Sequence, residues 1–393
     1  MHVASKIAVV AVAAATALGV GLGPALADPP TGTVPALTSV VGVGAQTTQG
    51  LLDAISKSYN ATKPANKLWS WDAINPKTGG TGDTIITKGS SSSDTTCSIA
   101  RPDGTGAGLT ALSTTKTDSG SPCIDYARAS SPPSSTSPAG LVWVGFGQDA
   151  VSWVTTSKAT GAPKTLTAAQ LNAIYSANTG ACLTWSDVGG TSTDPIVPAL
   201  PQSSSGTRTF FLSAIGVTTP GTCVVNGSID IPGDANNPVL LEENTGTSVG
   251  GATTAARTGN QYFFANNPNA LFPYSAADWI AQAAAPAGGG NASKGFGHGE
   301  VAKPGEISGI APITAGTPDT IKAKFTTDAA TKVFTRIVYN VVPNVGTTSA
   351  PAIASGPITT IFGPTGVICS DTSTIKSWGF LTLGSECGFL TAG

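Results

Sequence analysis

Short apolar runs and stretches of helical spacing take turns along this chain from residue 40 onward, and that alternation restricts the fold more than any other feature. Residues 40–43 are apolar and pass into Gly44-Ala45-Gln46-Thr47-Thr48, where Thr47 or Thr48 can cap a helix. Leu51, Leu52, Ile55 and Tyr59 then recur at helical spacing. Residues 124–128, 141–144, 150–154, 196–200, 239–241 and 333–342 read as strands. Thr167-Ala168-Ala169-Gln170 has the form of a capping box, with Leu171, Ile174 and Tyr175 on one helix face. Phe210, Phe211, Ala214 and Ile215 mark another helix, and residues 275–284 a further one. Strands alternating with helices predict an α/β chain with mostly parallel sheets flanked by helices.

Charge narrows the function. The 20 basic and 22 acidic residues leave a formal charge of −2, so no basic excess exists to neutralise a nucleic-acid backbone. Only two His are present, one of them His2, which leaves little room for a His-based metal site; no metal or cofactor is expected. Residues 1–27 read as a secretory signal peptide: Lys6, an apolar stretch over 7–22, and Ala25-Leu26-Ala27 ahead of Asp28. Cleavage after Ala27 gives a secreted or cell-envelope protein, and no lipobox cysteine follows the cut. Six Cys, an even count in an exported chain, predict three disulfides. Neighbour pairing is the simplest arrangement: Cys97–Cys123, Cys182–Cys223 and Cys369–Cys387.

Three Gly-rich turns with Ser or Thr hydroxyls precede helices: 44–48, 104–108 and 203–208. Unpaired backbone N–H groups and the helix dipole make such starts favourable to anions. The last turn offers Ser205, Gly206 and Thr207 as consecutive donors, and Arg208 adds a guanidinium. A competing signature is Gly246-Thr247-Ser248-Val249-Gly250, which matches the nucleophile elbow of serine hydrolases, with Asp278 and His298 in the expected order. No pair of acidic residues stands out for glycoside hydrolysis. Gly104 to Gly108 lacks the Lys-Ser/Thr of a nucleoside-triphosphate loop.

In order, these turns resemble the phosphate-type substrate-binding proteins of ABC transporters. Gly44-Ala45-Gln46-Thr47 is similar to that family's opening G-A-x-T, and Gly104-Thr105-Gly106-Ala107-Gly108 to its G-S-G-x-G turn. Ala129-Ser130-Ser131-Pro132 loosely matches A-S-D-x-P, and residues 201–207 the R-x-D-G-S-G-T loop. The resemblance implies a two-lobed type II binding fold, with lobe one at 38–140 plus 334–393 and lobe two at 141–333. It implies a monomer without enzymatic activity that takes phosphate between its lobes and delivers it to an ABC permease. The implied ligand set is Gln46, Thr47, Gly104, Thr105, Gly106, Arg128, Ser130, Ser131, Ser205, Gly206, Thr207 and Arg208. Ser131 stands where the family has a ligand Asp, and Pro201 where it has an Arg. Arg128 and Arg208 are the cations nearest those two places in sequence. A serine hydrolase using Ser248, or a cell-surface binding fold that has lost its small ligand, are the alternatives.

Overall fold

The computed structural model describes residues 28–30, 32–75, 80–234, 237–243, 248–249, 259–283, 296–297 and 303–393. The expected signal segment, 1–27, lies outside them. Among the described residues no helix is long and apolar enough to cross a membrane.

Strand β1 (Val40–Gly44) is buried at every position, the pattern of a strand covered on both faces. It leads into α1 (Gln49–Ala61), whose Leu51, Leu52 and Ile55 are fully buried. Next come β2 (Leu68–Ser70), α2 (Gly104–Ser113) and β3 (Tyr126–Ala129). Both β2 and β3 pair with β1 in parallel. The second wing contains α3 (Ala168–Ser176), β5 (Val197–Leu200), α4 (Gly206–Ala214), β6 (Val225–Asn226), β7 (Ala270–Ser275) and α5 (Ala276–Ala283). There β6 and β7 pair with β5 in parallel. The predicted box at Thr167 and Gln170 forms reciprocally and opens α3.

Two long strands join the wings, β4 (Leu141–Val154) and β8 (Thr335–Pro343). Fourteen residues in β4 span about 46 Å at the usual rise per residue, enough to belong to both lobes. The order across the ten-stranded sheet is β6-β5-β7-β4-β8-β3-β1-β2, with β9 (Leu381–Thr382) and β10 (Leu390–Ala392) added on β4. The wings are parallel, whereas β4 pairs antiparallel with both β7 and β8, and β8 with β3. The sheet is therefore mixed at its middle and parallel at its ends.

The sequence reads β4 as two strands broken at Gly145-Phe146-Gly147. The strand instead runs through, because the glycines make room for packing. A Cβ on Gly145 would lie 2.2 Å from the Phe389 ring, and Gly145 N–H donates to Phe389 O at 3.1 Å. The largest apolar cluster continues from Leu51 and Ile55 of the first wing to Leu171 and Phe211 of the second.

All three neighbour disulfides form, at sequence separations of 26, 41 and 18 residues, and no cysteine is free. Loops of this size constrain the unfolded chain by about 3–4 kcal/mol each. Thiol titration of the denatured, unreduced protein should read near zero, and full reduction should lower the urea midpoint sharply. Two reactive thiols per chain would contradict the pairing.

Candidate functional site

The C-terminal ends of β1, β3 and β5 carry their loops to one place between the wings, the usual location of a ligand in parallel α/β structure. The three predicted helix starts meet there. Thr47, ahead of α1, has its Oγ1 3.3 Å from Thr207 Oγ1 in the first turn of α4. Thr105 Oγ1, in α2, lies 3.4 Å from Ser130 Oγ and accepts from Ser130 N at 3.1 Å. Gly206 sits directly against that pair, and a Cβ there would come within 2.3 Å of Ser130 Oγ and 2.4 Å of Thr105 Oγ1. Only glycine lets the two lobes approach this closely at that point.

The Thr hydroxyls are not used as helix caps at α1: Thr48 makes no side-chain cap, and Thr47 faces the other lobe instead. At α4 a side-chain cap is present, with Ser205 Oγ accepting from Arg208 N at 3.0 Å. The start of α2 faces Ser204. Gly104, at φ +91°, and Gly106 pack on the Ser204 backbone, and Gly106 N donates to Ser204 O at 2.9 Å.

Arg336 on β8 supplies the cation of this site, and the sequence reading missed it. Its Nη1 donates to Thr207 Oγ1 at 3.0 Å and its Nη2 to Thr47 Oγ1 at 3.3 Å. Nε and Nη2 hold Asp149 Oδ2 of β4 at 3.0 and 2.8 Å. Both side chains of the pair are fully buried, and the guanidinium lies 5.7 Å from the Phe210 ring centre. Asp149 is held from its other oxygen by Ser275 Oγ at 3.0 Å and Ala277 N at 3.1 Å. Burial, with the Asp149 charge second, pushes the Asp278 carboxyl well above the usual carboxylate range.

The expected cations lie elsewhere. Arg208 donates to Pro201 O at 3.0 Å and to Asn226 Oδ1 at 2.5 Å, at the ends of β5 and β6. Arg128 is buried beneath the end of β1, donating to Ala45 O, Gly44 O and Ser70 Oγ at 3.0, 3.1 and 2.6 Å. Neither is the guanidinium that bridges Thr47 and Thr207. Ser131 is buried beside Ser130.

A set of acids and amides borders the same place. Gln46 Nε2 donates to Asp103 Oδ1 at 2.7 Å and also to Glu242. Gln202 Nε2 reaches the same Asp103 oxygen at 3.0 Å. Burial pushes the Asp103 carboxyl up to about 7, against the lowering effect of Gln46. Burial and the Asp103 charge push Glu242 well above its ordinary range. Glu243 accepts from Gln46 N at 3.1 Å, Ser205 Oγ at 2.6 Å and Thr207 N at 3.0 Å. Among the described residues no group of three or more His, Cys, Asp or Glu is placed to hold a metal ion.

Of the nucleophile-elbow signature, residues 246, 247 and 250 and His298 lie outside the described residues, as does the Ser248 side chain. The Ser248–Val249 backbone forms a short antiparallel ladder with Phe296–Gly297, not the strand-to-helix turn an elbow requires.

Comparison with known proteins agrees with this architecture. A phosphate transport receptor of the ABC type from Vibrio cholerae is 14% identical, with a TM-score of 0.50 over 88% of this chain and 100% of that one. A putative phosphate ABC transporter substrate-binding protein from Clostridium perfringens, solved with bound phosphate, is 15% identical, with a TM-score of 0.48 over 88% and 99%. No curated protein matches the sequence. Residues 30–297 match the model of the PBP superfamily domain, and the chain belongs to that superfamily.

Proposed function

We propose that this chain is a secreted substrate-binding protein that captures a small oxyanion, inorganic phosphate first, for uptake through an ABC permease. In this reading residues 1–27 are the removed signal peptide, and the lobes are 38–140 plus 334–393 and 141–333. Binding is by lobe closure without covalent chemistry, and the protein acts as a monomer. The observation that carries the reading is Arg336: a buried cation whose fork reaches hydroxyls at the starts of α1 and α4, one from each wing. A cation and two positive helix ends at one interlobe point favour an anion, and hydroxyl and backbone donors suit oxygen ligands. The superfamily match supports the same reading, as does the phosphate-receptor description of the V. cholerae neighbour.

Calorimetric titration with phosphate, sulfate and methylphosphonate tests it. Thr47→Val with Thr207→Val removes two hydroxyls while leaving the backbone donors. Hydrogen bonds to a charged partner are worth about 1.5–3 kcal/mol each, so the double variant should bind at least about tenfold more weakly than the parent. Failure of the parent and of every cleft variant to bind any of the three anions would end the proposal.

A further inference from the structure

The anion donors of the cleft are not idle, because one residue of the chain already engages them. We infer that Glu243 is a built-in competitor: its carboxylate holds the place of an external oxyanion and keeps the lobes together until that anion displaces it.

Three observations carry this. First, the donors to Glu243 are those an oxyanion would use, namely Thr207 N and Ser205 Oγ at the start of α4 and Gln46 N just ahead of α1. A carboxylate at a helix N-terminus satisfies the same orphan N–H groups as a phosphate oxygen. Second, the Gln46 contact crosses the cleft. Glu243 follows the short strand Val239–Leu240 of the second wing, whereas Gln46 belongs to the first wing. Third, the carboxylate is held in place rather than hanging in solvent. Glu243 is fully buried. Asn260 clamps the preceding Glu242 backbone from both sides, accepting from its N–H at 2.6 Å and donating to its carbonyl at 2.9 Å. Leu241 O accepts from Gln202 N at 2.8 Å.

A carboxylate so positioned acts as a tethered ligand. It lowers the apparent affinity for any free anion by the fraction of molecules in which it is seated. Its planar pair of oxygens also leaves Arg336 to the hydroxyls and Asp149, so a tetrahedral anion gains contacts that Glu243 does not make. The inference rests on the oxyanion reading for its ligand, but its conformational part stands apart from that reading.

The experiment combines calorimetry with inorganic phosphate and small-angle scattering, on the full secreted chain and on Glu243→Gln and Glu243→Ala. The parent should have the same radius of gyration with and without phosphate. Both variants should be measurably larger without phosphate, shrink when it is added, and bind it about tenfold or more tightly than the parent. Variants that bind phosphate no better than the parent would overturn the inference while leaving the oxyanion reading intact. If no form binds phosphate, the oxyanion reading falls and Glu243 as competitor falls with it. Scattering then decides whether Glu243 closes the lobes at all: variants as compact as the parent would remove that part too.

Discussion

Replacing Arg336 by methionine should lower the unfolding free energy by about 3–5 kcal/mol, the usual cost of breaking a buried ion pair. It should also abolish oxyanion capture. The two effects share one origin. Arg336 and Asp149 have no exposed side-chain surface, so removing the guanidinium leaves a carboxylate that water cannot reach. Asp149 keeps its contacts from Ser275 and Ala277, which recover only part of that loss. The strands carrying the pair, β4 and β8, are the ones that join the wings, so the damage falls where the lobes are connected. Arg336→Lys separates charge from geometry. A lysine keeps the positive charge but not the planar fork that serves Asp149, Thr47 and Thr207 together. It should regain part of the stability and little of the affinity. Urea unfolding and phosphate titration of the two variants check this, and a methionine variant as stable as the parent would contradict it.

The parts of the site that could be read from sequence are those with local signatures. Gly, Ser and Thr ahead of a helical pattern place three N-termini at Thr47, Thr105 and Thr207, because caps and tight turns depend on neighbouring residues. Neighbour cysteines closing short excursions likewise yield the observed disulfides. What could not be read depends on pairing distant in sequence. Arg336 and Asp149 are 187 positions apart and meet only because β4 and β8 lie side by side. A signal existed, since each is the one charged residue of its strand, and a charge in a buried strand needs a partner. Arg208 and Arg128 looked better placed because they adjoin the recognisable turns. Yet Arg208 is drawn to Pro201 O and Asn226, and Arg128 to the carbonyls that end β1. Glu242 and Glu243 have no local pattern at all: they acquire meaning only from the Gln46 donors across the cleft and from Ser205 of their own wing.

Stability should fall as pH rises from 5 to 8, opposite to the behaviour of a protein held by ionised surface pairs. Burial pushes the Asp103 carboxyl up to about 7, and burial with the nearby Asp28 charge does the same to Asp72. Burial also raises Asp53, Glu242 and Asp278 well above the carboxylate range. In the unfolded chain these groups release their protons near pH 4. Between about pH 4 and 7 the folded protein therefore holds protons that the unfolded chain has given up. Each such proton lowers stability by about 1.4 kcal/mol per pH unit of increase. Asp94 and Asp187 shift the other way, held low by the N–H groups of Ser90 and Thr184. Asp187 is exposed and Asp94 half-buried, and their titration falls below this window. Asp103→Asn supplies the control. The amide keeps an oxygen for Gln46 and Gln202 but cannot ionise, so the slope between pH 5 and 7 should flatten by about one proton's worth. Urea midpoints measured at half-unit intervals read both quantities. A midpoint that climbs from pH 5 to 8, or an Asp103→Asn slope equal to that of the parent, would show that these buried carboxyls enter the folded protein already ionised.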